Sequence, residues 1–513
     1  MNNPAFPAGA SPAYSSSSRG TSSVFSYLIE PQLNWNKIHD HHQWNAIIGL
    51  TFQDSESKST AISGSGFSSN ALLHNISAAT NIYMQGINNI QYRYAAVFSR
   101  INYIYKNRYI FNATARRDGS SRFGTNNRFA NFGAIGGAWI FSKENFLKDY
   151  SWLSFGKLRG SYGLTGSDMI GDYQYLDTYT VSPIFYNDIP ALFPSRLYNP
   201  NFTWEKTKKT EIAIELGFLK NRLNFSSSYY HNLSTDQLVG IPLPSITGFS
   251  TIQANLDAAV ENSGWEFEMS AHPLQGNNWK WSTNFNISFP KNKLISFPNL
   301  EGSTYANTYV VGQPTSIVKL LQFEGINPTT GEYMFTDFND DGKISLLDDA
   351  KAIKNIGIQY FGGFQNTIDY KRISLSFLIQ FVKQKNWNFI RTMTTPGNMN
   401  NQPVEFVNVW SPENPSGIIM PYSPGTESSV NTLTTYYKNS TAAVGDASFM
   451  RLKNLQINYK IPLVGKLARE AMIYFQGQNL ITLTNYFGLD PEFLISGYLP
   501  PLKTYSLGFQ LTF

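Results

Sequence analysis

The last ten residues, Thr504-Tyr505-Ser506-Leu507-Gly508-Phe509-Gln510-Leu511-Thr512-Phe513, decide the fold. Tyr505, Leu507, Phe509, Leu511 and Phe513 alternate with Thr504, Ser506, Gly508, Gln510 and Thr512. Successive side chains of an extended strand point to opposite faces, so this segment carries one apolar face and one polar or small face. Ten residues at about 3.3 Å each, tilted by about 45°, cross the roughly 25 Å apolar layer of an outer membrane. Strands of soluble sheets usually run only about five or six residues. Length therefore favours lipid over a protein core as the destination of the apolar face.

The same alternation returns upstream. Leu455, Ile457, Tyr459 and Ile461 alternate with Asn454, Gln456, Asn458 and Lys460, and Trp281, Phe285, Ile287 and Phe289 with Ser282, Asn284, Asn286 and Ser288. Ile212, Ile214, Leu216 and Phe218 lead through Lys220-Asn221 to Leu223, Phe225 and Tyr229, which reads as a hairpin. The pattern predicts about fifteen strands, near 24–37, 42–53, 91–105, 108–117, 129–141, 155–165, 209–218, 222–231, 258–270, 279–289, 359–370, 372–383, 449–461, 472–483 and 503–513. The gaps alternate: 106–107, 219–221, 371 and 462–471 are short, whereas 54–90, 166–208, 290–358 and 384–448 are long. Outer-membrane barrels join strands by short periplasmic turns and long extracellular loops. A sandwich has no reason to keep that rhythm.

Composition agrees. Aromatic residues make up 15% of the 513, while charged residues are also only 15%, against about 25% in ordinary domains. No stretch approaches the ~18 apolar residues of a spanning helix. Cysteine is absent, which excludes disulfides and thiolate chemistry. The net charge of +5 comes without any Lys/Arg-rich run, which argues against a nucleic-acid partner.

The expected organisation is a disordered or loop-like start at 1–23, a partial barrel over 24–513, and a long extracellular loop at 290–358. Met1 to Gly20 lacks the basic start and apolar core of a signal peptide. An odd strand count beginning at the cell surface also departs from the even number of a bacterial barrel. Both features lead to the expectation of a fragment, with strands and an export signal upstream.

Several segments resemble the SusC/RagA family of TonB-dependent transporters of Bacteroidetes. Ala115-Arg116-Arg117-Asp118-Gly119-Ser120-Ser121-Arg122-Phe123-Gly124, continued by Asn127-Arg128, is similar to the family's most recognisable barrel motif. Leu158-Arg-Gly-Ser-Tyr-Gly-Leu-Thr-Gly166, Trp204-Glu205-Lys206-Thr207, Thr247-Gly248-Phe249, Arg451-Leu-Lys-Asn-Leu455, Gly477-Gln-Asn-Leu480 and Leu489-Asp-Pro-Glu492 follow in the family's order. The resemblance spans about residues 24 to 513. It implies a transmembrane antiparallel barrel of 22 strands, about fifteen of them in this chain, a size associated with plugged transporters. The family's plug and TonB-contacting segment have no counterpart here. The resemblance also implies outer-membrane import of oligosaccharides or peptides, a SusD-like surface lipoprotein, and the TonB–ExbB–ExbD system as partners.

Asp337-Phe-Asn339-Asp-Asp341-Gly342-Lys343-Ile-Ser345-Leu-Leu-Asp348 follows a calcium-loop spacing. Asp337, Asn339 and Asp341 offer hard oxygens on one turn, the Lys343 carbonyl and Ser345 extend the set, and Asp348 stands at the twelfth position. The expectation is a structural Ca²⁺ in an extracellular loop; the competing reading is an acidic turn without metal. Phe513, a terminal aromatic on an amphipathic strand, is expected to be an assembly signal. Arg116, Arg117, Asp118 and Arg122 read either as an anion cluster or as a charged network at a strand end. Tyr173, Tyr175, Tyr179 and Tyr186 could stack on sugars or serve as packing. His39, His41 and His42 diverge on a tight turn, which disfavours a metal site. Glu266 and Glu268 lie on one strand face, which is not the opposed pair that glycosidase chemistry needs. No catalytic residue is expected. The alternatives are an extracellular β-rich adhesion protein and a passive porin.

Overall fold

The computed structural model describes residues 15–147, 150–187, 189–462, 469–494 and 499–513. In chain order the first strands are β1 (Ser16–Ile29), β2 (Gln32–His39), β3 (His42–Ser65), β4 (Asn81–Tyr105), β5 (Tyr109–Ser120), β6 (Phe129–Trp139) and β7 (Leu153–Ser167). They are followed by β8 (Thr178–Tyr186), β9 (Ile189–Arg196), β10 (Glu205–Phe218), β11 (Leu223–Thr235), β12 (Gln237–Pro242) and β13 (Thr251–Leu256). Next come β14 (Ala259–Gln275), β15 (Trp279–Ser296), and four short strands within one loop: β16 (Ile317–Leu320), β17 (Phe323–Ile326), β18 (Tyr333–Phe335) and β19 (Ala352–Asn355). The last are β20 (Ile358–Tyr370), β21 (Ile373–Trp387), β22 (Val444–Asp446), β23 (Phe449–Ile461), β24 (Glu470–Thr484) and β25 (Thr504–Thr512). A single α-helix, α1 (Ser428–Lys438), occurs among the described residues. No helix among them is long and apolar enough to cross a membrane. The chain is all-β.

Two compact units are present: 1–136 with 163–208 and 235–256, and 137–162 with 209–234 and 257–513. In the first, β1 and β2 both pair antiparallel with β3, from Ser16↔Ser65 to Ile29↔Phe52 and from Gln32↔Gly49 to His39↔His42. β4 pairs with β3 along its whole length and with β5 over its second half. Lys106 and Asn107, both at positive φ, turn the chain between β4 and β5, as the twist of a tight hairpin demands. β8–β9 and β12–β13 are separate ribbons. In the second unit β11, β14, β15, β20, β21, β23, β24 and β25 pair antiparallel in that sequence.

The expected strand at 24–37 is instead two strands. Pro31 has no N–H to give the ladder, and the break at Glu30-Pro31 lets β1 and β2 pair with successive stretches of β3. The expected loop-like start ends sooner than 23, since β1 begins at Ser16; residues 1–14 lie outside the described residues. The expected loop 54–90 shrinks to 66–80, because β3 and β4 run well past their apolar stretches. Asp54, Glu56 and Lys58 alternate there with Ser55, Ser57 and Ser59, so both faces are polar and no period-two signal survives.

Candidate functional site

In each unit one face of the strands carries an apolar band. On β3, Trp44, Ile48, Leu50 and Phe52 share one face; across the ladder stand Val97 and Ile101 of β4, then Tyr109 and Phe111 of β5, all exposed, with Tyr103 of β4 half-buried among them. In the second unit Ile457 and Tyr459 of β23, Ile473 of β24, and Leu507 and Phe509 of β25 are exposed in the same way. Phe509 retains 60% of its accessible surface and Phe513 75%. Facing more than a dozen large apolar side chains with water would forgo roughly 2 kcal/mol for each. Lipid is the surrounding that removes this cost.

Aromatic rings edge the band beside the short turns. Trp44 packs on Tyr103 at 4.2 Å and Tyr105 on Tyr109 at 6.3 Å. In the second unit Trp279 packs on Tyr370 at 4.3 Å, and Trp152 stacks on Phe218 at 5.8 Å. Rings with an apolar body and a polar edge suit the boundary between lipid and water.

The 115–124 motif builds a charged network rather than an open anion site. Arg116 bonds Asp118 and donates to the Tyr94 hydroxyl at 2.7 Å. Arg122 donates to an Asp172 carboxylate oxygen and to the Asp168 carbonyl, both at 3.0 Å, and lies over the Tyr92 ring. Ser120 and Tyr92 both donate to Asp168. The motif thus ties the loop after β7 to the middle of β4 and the end of β5. Beneath it Phe123, Phe202 and Trp204 are buried together, with Phe132 and Tyr175 packed against them. The spacing of 46 to 50 residues between Arg122 and its acidic partners gave the sequence no local signal.

Among the four candidate tyrosines, the Tyr173 hydroxyl accepts from the Gln91 backbone N–H at 3.0 Å, and Tyr175 joins the aromatic cluster. Tyr179 is exposed on β8, and the Tyr186 side chain lies outside the described residues. His42 Nδ1 is 2.7 Å from the Tyr103 hydroxyl, whereas His39 and Asp40 are exposed. Glu266 accepts from Ser228 at 3.4 Å across the β11–β14 ladder, while Glu268 stands opposite Ser226.

A separate core sits within the long loops of the second unit. Tyr333, Ile390, Met393, Phe406, Ile419, Met420, Tyr437 and Ala443 are buried together. Tyr333 and Tyr437 stack at 4.0 Å. Burial pushes both phenols up, Tyr437 to about 12. At the start of β23, Arg451 is buried against Asp490 and Glu492, a clamp that sequence reasoning missed although both segments had been noted.

The acidic loop lies beside this core. Asp337 accepts the Asp340 and Gly342 backbone N–H groups at 2.8 Å, and Asp341 accepts that of Lys343 at 2.8 Å. Gly342 sits at φ +79°, where a side chain would be strained. Asp348 accepts from the Ser345 hydroxyl at 2.8 Å. Asp349 is wholly enclosed, and N–H donation from Ser345 and Phe338 holds its carboxyl below the ordinary value. Hard oxygens and a tight turn match what calcium takes as ligands, although no three Asp, Glu, His or Cys side chains converge as a metal cage among the described residues.

Exposed apolar strand faces edged by aromatic rings define a protein of the Gram-negative outer membrane. The chain belongs to the TonB dependent receptor-like, beta-barrel family, whose model matches residues 2–480. It is of the SusC/RagA type. It is 28% identical over 532 residues to TonB-dependent receptor P39 of Formosa agariphila, covering 91% of this chain and 50% of that one. TonB-dependent receptor SusC of Bacteroides thetaiotaomicron is 28% identical over 450 residues, 81% of this chain and 43% of its own. The structure of the RagAB peptide transporter superposes with a TM-score of 0.80 at 25% identity, over 97% of this chain and 56% of that one. The chain therefore spans about half the length of the curated relatives it matches.

Proposed function

We propose that this chain forms the main barrel wall of an energised importer that carries oligosaccharides or peptides across the outer membrane. The observation that supports this most is the likeness to the RagAB peptide transporter over 97% of the chain. In this reading the whole protein is a 22-stranded barrel. A plug and a TonB-contacting segment outside the present span couple it to TonB–ExbB–ExbD, and a SusD-like lipoprotein covers the outer loops. Polar inner residues and gated passage do the work, without a catalytic centre.

Deletion of the gene, followed by uptake assays with labelled oligosaccharides and peptides, tests this. Loss of uptake for one class, mimicked in the parent by a proton-gradient uncoupler, supports the reading. Uptake insensitive to the uncoupler favours a passive pore, and unchanged uptake of both classes sinks import altogether.

Two narrower roles belong to the same reading. Asp337, Asn339, Asp341, the Lys343 carbonyl, Ser345 and Asp348 hold a structural calcium that stiffens the outer loop. Phe513 is read by the assembly machinery, so its deletion lowers the amount of inserted protein.

A further inference from the structure

In the first unit the outward face changes from apolar to charged along each of three adjacent strands. Moving away from the short turns, the row on β3 runs Trp44, Ile48, Leu50 and Phe52, then becomes Asp54. On β4 it runs Tyr103, Ile101, Ser99, Val97 and Ala95, then Arg93; on β5 it runs Tyr109, Phe111, Ala113 and Ala115, then Arg117. Asp54 and Arg93, opposite each other in the register, thus mark the far edge of the band, while Arg117 stands opposite Val97, two outward positions nearer the short turns. That edge faces the outer leaflet's headgroups if the short turns face the periplasm.

A groove of about 570 Å³ opens there, lined by Tyr27, Phe52, Asp54, Arg93, Arg128 and Phe129 among others. Its floor passes over Gly119, where a side chain would collide with the Phe129 ring. Arg93 gives its Nε to Asp54 at 3.0 Å, and its side chain is still 67% exposed. Gln91 also donates to Asp54, so that carboxylate is already satisfied. The Nε of Arg128 is enclosed without a hydrogen-bond partner among the described residues. Arg117 lies over the Phe129 ring at 5.5 Å on the same rim.

We infer that this groove binds a phosphate of an anionic outer-leaflet glycolipid. Arg93 and Arg128 face the phosphate, and the acyl chains lie along Phe52 and Val97. Guanidinium groups suit phosphate oxygens geometrically as well as by charge, and the apolar band begins directly beside them. A soluble anion would have no use for the apolar half of this arrangement. The inference rests on the outer-membrane location and not on import, so either can fail without the other.

The test is native mass spectrometry of the full chain folded in non-ionic detergent. The probes are bisphosphorylated lipid A, its dephosphorylated counterpart and inorganic phosphate. Retained lipid A is expected on the parent, with binding roughly tenfold weaker for Arg93→Gln, for Arg128→Gln and for the dephosphorylated lipid. Lys220→Gln, beside a short turn, binds as the parent does. Folding is followed by heat-dependent gel mobility, and Arg93→Lys and Arg128→Lys, which keep the charge, bind within about threefold of the parent. Should a glutamine variant misfold, a parallel loss on dephosphorylating the lipid carries the same conclusion. Equal binding by both folded glutamine variants overturns the inference, as does equal affinity for the dephosphorylated lipid. Displacement by millimolar inorganic phosphate overturns the lipid assignment in favour of a free-anion site.

Discussion

Arg451 and Asp490 meet at 2.6 Å, and only 1% of the Arg451 side chain reaches solvent. The same guanidinium reaches Glu492 at 2.6 Å and Thr482 at 3.0 Å, so one side chain joins β23, β24 and the loop that follows β24. Phe487, in that loop, packs against the core formed by the long outer loops.

Removing one partner of a buried ion pair leaves the other charge without compensation, at about 3–5 kcal/mol. Arg451→Met should therefore free the 485–494 segment. Limited proteolysis is expected to cut there while the strands stay protected. Glu492→Gln should do less, because Glu492 is partly exposed and Asp490 still holds the arginine.

The Tyr333–Tyr437 stack makes the loop core sensitive to alkali. Both phenols are raised above the ordinary 10.0, which means the folded state favours their neutral forms. The stability they contribute is intact below pH 10 and is lost as pH rises from there through about 12. Absorbance of phenolate, followed alongside protease resistance of the loops, should show a joint transition. Tyr437→Phe should shift that transition or reduce its amplitude.

Lipid exposure can be tested on one strand. Phe509→Arg places a charge on the outward face of β25 and should cost about 2–4 kcal/mol of folding into vesicles if the site lies near the midplane. Gln510→Arg, on the opposite face, should cost less than about 1 kcal/mol. Equal penalties would remove the distinction between the two faces.

If the acidic loop holds calcium, the ion should slow protease cleavage within 336–350, and a chelator should reverse the effect. Asp341→Asn should abolish the calcium response while leaving cleavage elsewhere unchanged. Identical cleavage with calcium and with chelator would leave an acidic turn and nothing more.

Trp204→Ala opens a cavity against Phe123, Phe132 and Phe202, where large-to-small changes cost about 3–5 kcal/mol. A lower temperature for the heat-dependent change in gel mobility is the expected readout. Phe509→Ala, on the lipid-facing side, should lower it far less.

The strands that cross lipid were legible because the bilayer imposes a strict period of two on them. Positions 449–461 and 358–370 emerge almost residue for residue as expected from alternation. The α-helix at Ser428–Lys438 and the ribbons β8–β9, β12–β13 and β16–β19 went unread. They lie within long loops, where no such period is enforced. The extended ends of β3 and β4 escaped for a related reason, since their side chains are polar on both faces.

The sequence by itself determined which faces are apolar, where the short turns lie, and membership of the outer-membrane class. Those properties depend on neighbouring residues and on one solvent boundary. Only the tertiary structure decided that Arg122 serves Asp168 and Asp172, that Arg451 clamps Asp490, and that Arg93 stands beside Asp54 at the edge of the apolar band. Each of these pairs is separated by about forty residues or more. Strand register and loop packing bring such groups within hydrogen-bond reach, and a local pattern carries no record of that register.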